Sequence, residues 1–180
     1  MQTGHELFVH GLSEMLDCER QLVVALQELE SDSTNQQLKH AFAAHRKETQ
    51  NQIERLNQSL ELIGESLEPI ECKGIKGIIE EKKAFMDEDP SEDILDVFNI
   101  RAAGKAEAYE ICEYESLIQL SREMKHTKVA QLLSQTLKEE QAVLKKMEAF
   151  SKKIKPKEMM TEEEEARASE HGKVRARRAA

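Results

Sequence analysis

The chain has 180 residues, of which 34% are charged and 4% aromatic, with no Trp, a net charge of -9 and a mean hydropathy of -0.64. That describes one acidic, soluble domain long enough to bury a core, and the acidic balance argues against nucleic acid as the main partner. No run approaches the roughly 20 apolar residues of a membrane span, and Met1 to Gly11 lacks both a basic lead and an apolar signal core, so a cytoplasmic location is expected.

Seven Gly and three Pro leave few turn signals for a sheet protein, and helix-period patterning runs in four blocks, at roughly 3–30, 34–63, 91–124 and 127–152. The fold class is therefore all-α. Ser33, with Gln36 three residues on, predicts a capping box between the first two helices, which pair as an antiparallel hairpin. Block two stops at Gly64, and block three opens at Asp89-Pro90-Ser91-Glu92, with Asp89 as the cap residue, Pro90 at the first helical position and Glu92 placed to complete the box. The short break at Lys125-His126-Thr127 makes blocks three and four a second antiparallel hairpin. Residues 64–90 form a crossover carrying one short amphipathic piece, Ile75 to Phe85. It is long enough to run the length of the ~45 Å helices it connects. Residues 1–154 are thus expected to form the bundle. Residues 155–180, with Glu162 to Glu165 followed by the basic run Lys173 to Arg178, read as a flexible charged tail, the one place a nucleic acid or acidic partner would touch.

Each helix carries acid where its core stripe should be apolar. In block one Glu19 fills the gap in Phe8, Leu12, Met15, Leu22, Leu26, Leu29. In block two the stripe of Leu38, Phe42, Leu56 and Ile63 is interrupted by His45, Thr49 and Gln52, with Glu48 beside them. Glu107 and Glu110 interrupt Ile100, Ala103, Tyr114, Leu117 in block three, and Glu140 interrupts Val129, Leu133, Thr136, Val143, Met147 in block four. Counting from the turns, Glu19 lies 12 residues before Ser31 while His45 and Glu48 lie 11 and 14 after Thr34; Glu110 lies 15 before Lys125 and Glu140 lies 13 after Thr127. The polar layers are level within each hairpin, and the count leaves open how the hairpins are mutually oriented.

Five carboxylates in one core would each cost several kcal/mol in desolvation and repel one another. Two divalent ions neutralise them, and an oxygen-rich cage with one imidazole suits iron or manganese. The competing reading rotates the stripes slightly, so that the acids pair with Arg20, Arg55, Arg101 or Lys105 in a wet seam. His5, His10, His40, His126 and His171 read as surface residues. Cys18, Cys72 and Cys112, with no C-x-x-C pair, read as reduced thiols rather than a disulfide framework, Cys18 and Cys112 flanking the acid layer. No phosphate-binding Gly loop, Ser elbow or H-E-x-x-H is present.

Five stretches carry a resemblance: L-S-E-M-L-D-C-E-R-Q-L (Leu12 to Leu22), H-R-K-E-T-Q-N-Q-I-E-R-L (His45 to Leu56), E-C-K-G-I-K-G-I-I-E-E (Glu71 to Glu81), K-A-E-A-Y-E-I-C-E-Y (Lys105 to Tyr114) and L-L-S-Q-T-L-K-E-E (Leu132 to Glu140). The chain resembles the YciE/YciF family of ferritin-like stress proteins over nearly all of residues 5–150. The resemblance implies a ferritin-like four-helix bundle of two antiparallel hairpins joined by a long crossover, a homodimer, a dinuclear iron or manganese centre and a role in stress. By position it implies that Glu19 and one of Glu107 or Glu110 are terminal ligands, that Glu48 and Glu140 bridge, and that His45 is the nitrogen donor. Leu16 and Ala108 stand where the family has Tyr and His, and the Glu-x-x-His order of di-iron bundles is absent. The expected activity is oxidation of Fe(II) by dioxygen or hydrogen peroxide. Manganese catalase-like peroxide disproportionation is the sibling reading, and a non-catalytic helical interaction protein is the alternative from another class.

Overall fold

The computed structural model describes residues 1–165, 167 and 168; the basic run Lys173 to Arg178 and His171 lie outside the described residues. Five helices follow one another: α1 Gly4–Asp32, α2 Gln36–Ile63, α3 Lys73–Met86, α4 Glu92–Glu123 and α5 Thr127–Lys153. Four are the expected long helices, and α3 is the amphipathic piece of the crossover. No strand occurs among the described residues. The hairpins α1–α2 and α4–α5 pack with α1 beside α4 and α2 beside α5.

Two contacts orient the hairpins. Near the start of α4, the Asp96 carboxylate accepts the Thr34 N–H at 2.9 Å, the Thr34 hydroxyl at 2.7 Å and the Asn35 N–H at 2.9 Å, so α4 begins at the α1–α2 turn. At the other end, Phe8 of α1 stacks on His126 of the α4–α5 turn with ring centroids 6.1 Å apart. All four neighbouring pairs are therefore antiparallel, and the crossover must climb the whole bundle. It does so along α1: the Glu68 N–H donates to Ser13 Oγ at 3.1 Å, the Cys72 N–H to Asp17 at 2.8 Å, and Lys82 pairs with Asp32. At its start Gly64, at φ 75°, takes the left-handed position that ends α2, and the Glu65 N–H closes on the Leu60 carbonyl.

The caps differ from the sequence reading at two places. The N-cap of α2 is Asn35, whose Oδ1 accepts the N–H groups of Gln37 at 3.0 Å and Leu38 at 3.2 Å. Ser33 is buried and extended, and its Oγ accepts from Asn99 instead of closing a box with Gln36. Bonds from across the bundle outcompete the local motif. Likewise α4 starts after Ser91, because Asp89 adopts φ 50° and cannot begin a helix. A motif that sequence reading passed over is the capping box Thr3/Glu6 that opens α1.

The apolar stripes close into one core around Phe8, Leu12, Leu26, Phe42, Leu56, Tyr114 and Leu133. At about 25 cal/mol per Å² of apolar area removed from water, such layers supply the driving force that lets the central layer be polar.

Candidate metal centre

At mid-height the stripes turn polar together. Glu19 from α1, His45 from α2, Glu107 and Glu110 from α4 and Glu140 from α5 are all 3% exposed or less. Their donor atoms form two sets, His45/Glu107/Glu140 and Glu19/Glu110/Glu140, with the atoms of each set within 4.8 Å of one another. Glu140 belongs to both. His45 Nε2 lies 3.0 Å from Glu107 and 3.8 Å from Glu140.

Hydrogen bonds account for only part of this layer. Tyr114, one turn beyond Glu110, donates its hydroxyl proton to Glu19 Oε1. Gln52 Nε2 donates to Glu140 Oε1 and, at 3.2 Å, to Glu139. Arg55 grips Glu139 with both guanidinium nitrogens, at 2.6 and 2.8 Å, and reaches Thr136 at 2.9 Å. Both oxygens of Glu110 and one oxygen each of Glu19, Glu107 and Glu140 are buried without a hydrogen-bond partner. Buried carboxylate oxygens are rarely left so, because each carries its full desolvation penalty.

The electrostatics follow. Burial pushes the Glu19 carboxyl up to about 8, against the bond from Tyr114 that pulls it down. Burial, reinforced by the neighbouring acids, drives Glu110 and Glu140 well above the usual carboxylate range. Burial lowers the pKa of His45, but the Glu107 carboxylate at its Nε2, with Glu48 and Glu140, outweighs that and holds the imidazole protonated well above its ordinary range. A layer that binds protons this avidly also attracts cations. Oxygen donors with a single imidazole match hard divalent ions such as Fe(II) or Mn(II), and four carboxylates balance the charge of two of them. The residues present fit such a pair.

Glu48, expected as a bridging acid, stands apart. Its side chain is 49% exposed and lies 3.7 Å from His45 Nδ1. The buried ridge of α2 runs through His45, Thr49, Gln52, Leu56 and Ser59, and Glu48 is one position out of phase with it. The inward stripe His45, Thr49, Gln52 is the one the spacing predicts, and it is Gln52, not the Glu48 that the resemblance implies as a bridge, that faces Glu140. Two other expectations change. Ala108 is exposed, so a side chain there faces away from the acids. The cations of the wet-seam reading are engaged elsewhere or exposed: Arg55 pairs with Glu139 and Lys105 with Glu81, while Arg20 and Arg101 face solvent. The Arg55–Glu139 pair and the Tyr114 bond were missed; a Tyr on the core stripe one turn from two acids was the available signal.

Of the remaining histidines, His5 and His10 pair with Glu65 and Glu68, and His40 is exposed. Cys112 is exposed rather than beside the acid layer, whereas Cys18 and Cys72 are buried.

A family model described as a domain of unknown function (DUF892) matches residues 3–160. The chain belongs to this family. Protein YciF of Escherichia coli (strain K12) is 36% identical over 143 residues, which cover 79% of this chain and 86% of that protein. The crystal structure of the E. coli stress protein YciF matches with a TM-score of 0.81 at 35% identity, covering 84% of this chain and 96% of that one. YcfI of Rhodopseudomonas palustris, described as a candidate structural protein, matches with a TM-score of 0.80 at 32% identity, covering 82% of this chain and 94% of its own. The resemblance read from the five stretches is thus borne out, as is the all-α bundle. No described helix of this DUF892 protein is long and apolar enough to cross a membrane.

Proposed function

We propose that this protein is a ferritin-like stress protein that oxidises Fe(II) with dioxygen or hydrogen peroxide at a carboxylate-bridged di-iron or di-manganese site. The observation that carries this reading is the set of partnerless, fully buried carboxylate oxygens arranged around one shared residue, Glu140. Glu140, common to both donor sets, would hold both ions, with Glu19 and Glu110 holding one and Glu107 with His45 the other. Glu48 takes no part as a ligand. The chemistry such a metal pair supplies when bound is electron transfer to dioxygen or peroxide.

The rest is the work of the chain. Tyr114 holds Glu19 in one rotamer, and Gln52, anchored through Glu139 to Arg55, does the same for Glu140. His45 lies between buried Glu107, 3.0 Å from its Nε2, and half-exposed Glu48, 3.7 Å from its Nδ1, so the imidazole is held at the edge of the layer facing Glu107. An apolar cavity of about 30 Å³ beneath α3 is lined by Leu22, Leu29, Ile75, Ile79 and Ala103, with Glu107 among its walls. A space of that size holds a diatomic gas or a single water.

The test is the rate at which added Fe(II) is oxidised in air, followed optically against a protein-free control. Wild type should exceed the control at least tenfold, and Glu110→Gln should fall to it. Equal rates for wild type and control would refute the activity. Oxygen release from peroxide by manganese-loaded protein would select the catalase-like sibling instead.

A further inference from the structure

The space beneath α3 exists because small residues of one helix face large, stiff residues of another. On α4, Ala102, Ala103 and Ala106 line it, where the same helix elsewhere turns Ile100, Tyr114 and Leu117 into the core. On α3, Ile75, Ile78 and Ile79 form the roof, and leucines of α1 close the side. Isoleucine is branched at Cβ and stiff at χ1, so the roof does not fold down into the gap. A void of about 30 Å³ results. Protein interiors keep few voids of that size, because the atoms around one lose their dispersion contacts.

The walls offer almost nothing to a polar guest. Glu28 is only part-buried, and the Lys82 ammonium is paired with Asp32. That leaves Glu107, one turn along α4 from Ala103, with Oε1 at His45 and Oε2 buried without a hydrogen-bond partner. A trapped water is held by about three hydrogen bonds, and a single acceptor does not supply them. The space is therefore dry. Hydrogen peroxide would give up still more hydrogen bonds on entering it, whereas an apolar diatomic gas gives up none.

We propose that this cavity is a docking site for dioxygen, which shares Glu107 with the metal centre. If Fe(II) is oxidised at the acid layer, on which this role of the cavity rests, the bundle gathers dioxygen there and not peroxide. Entry needs no permanent channel. The roof helix α3 buries only Ile75 and Lys82, against eleven residues of α1, so it lifts at far lower cost than the bundle unfolds.

Xenon is the probe, because it is apolar, makes no hydrogen bonds and is seen directly by its electron density. Crystals of the full-length, metal-free protein under xenon pressure should hold a xenon atom among Ile75, Ile79 and Ala103, and without xenon should show no ordered water there. Ala103→Leu, whose side chain occupies the space, should lose the xenon; Ala103→Val, a smaller insertion, takes its place if leucine unfolds the protein. In iron-loaded protein, Ala103→Leu should raise the KM for dioxygen about tenfold, with iron affinity and the rate with hydrogen peroxide under argon unchanged. An ordered water in the space, no xenon in the wild type, or an unchanged KM for dioxygen in the variant would overturn the proposal. The xenon readout involves no iron. Xenon bound by a protein that does not oxidise Fe(II) would refute the proposed oxidation and leave the gas site in place, while Fe(II) oxidation without bound xenon would refute the gas site alone.

Discussion

Two buried acids on the same helix are treated in opposite ways. Asp96, 3% exposed, accepts three hydrogen bonds from the α1–α2 turn, while Glu110, four turns along α4 and 1% exposed, accepts none. The first is a structural plug whose charge is answered by fixed donors. The second is a carboxyl that the protein's own groups leave wholly unpartnered, in a layer where Glu19, Glu107 and Glu140 each keep one oxygen without a partner. Burial alone therefore does not mark a functional acid in this fold; the missing donors do.

Breaking the plug should have the largest effect on folding. Asp96→Ala removes three acceptor contacts at the hairpin turn and should lower stability by about 2–4 kcal/mol, seen as a lower urea midpoint with unchanged metal content. Changing the unanswered acid should do the reverse. In metal-free protein, Glu110→Gln should raise stability by about 1–2 kcal/mol at pH 8, because a neutral amide replaces a carboxyl held far above its ordinary range. The pH profile carries the same sign. Glu19 at about 8 and the raised Glu110 and Glu140 bind protons more tightly folded than unfolded. Their contribution is whole below the unfolded value of 4.5 and lost as pH rises to about 8. The Tm of metal-free protein should fall between pH 5 and 8, and Glu110→Gln should flatten that slope; a Tm that rises with pH would contradict the account.

Smaller effects sharpen the comparison. Gln52→Ala frees Glu140 from its orienting bond and should weaken metal binding about tenfold with little change in stability, read by competitive chelator titration. Deleting residues 155–180 removes the Lys157 N–H bond to Asp93, an exposed contact, and should change stability by no more than about 0.5 kcal/mol.

The same contrast explains what could be read from the sequence. The helices, the hairpins and the acid layer were legible because apolar spacing on four long helices leaves little choice of face, and interruptions such as Glu19 and Glu140 stand out against it. The spacing already put His45, Thr49 and Gln52 on the inner face of α2 with Glu48 one position beside it, and only the resemblance implied Glu48 as a bridging ligand. Asn35 and Ser91 displaced the expected caps because Asp96 and the backbone at Asp89 decide those turns, and both act through tertiary or dihedral constraints that a local motif does not contain. The docking of Cys72 at Asp17 was illegible for a related reason: the irregular start of the crossover does not announce which turn of α1 it touches.

The most direct test of the metal centre is elemental analysis of untagged protein purified without chelator and reloaded anaerobically with Fe(II) or Mn(II), with Glu140→Ala beside it. The account predicts about two ions per chain in the wild type and fewer than one in the variant, since Glu140 is shared by both sets. Wild-type protein that binds no metal after loading, or a variant that binds as much as wild type, would contradict it.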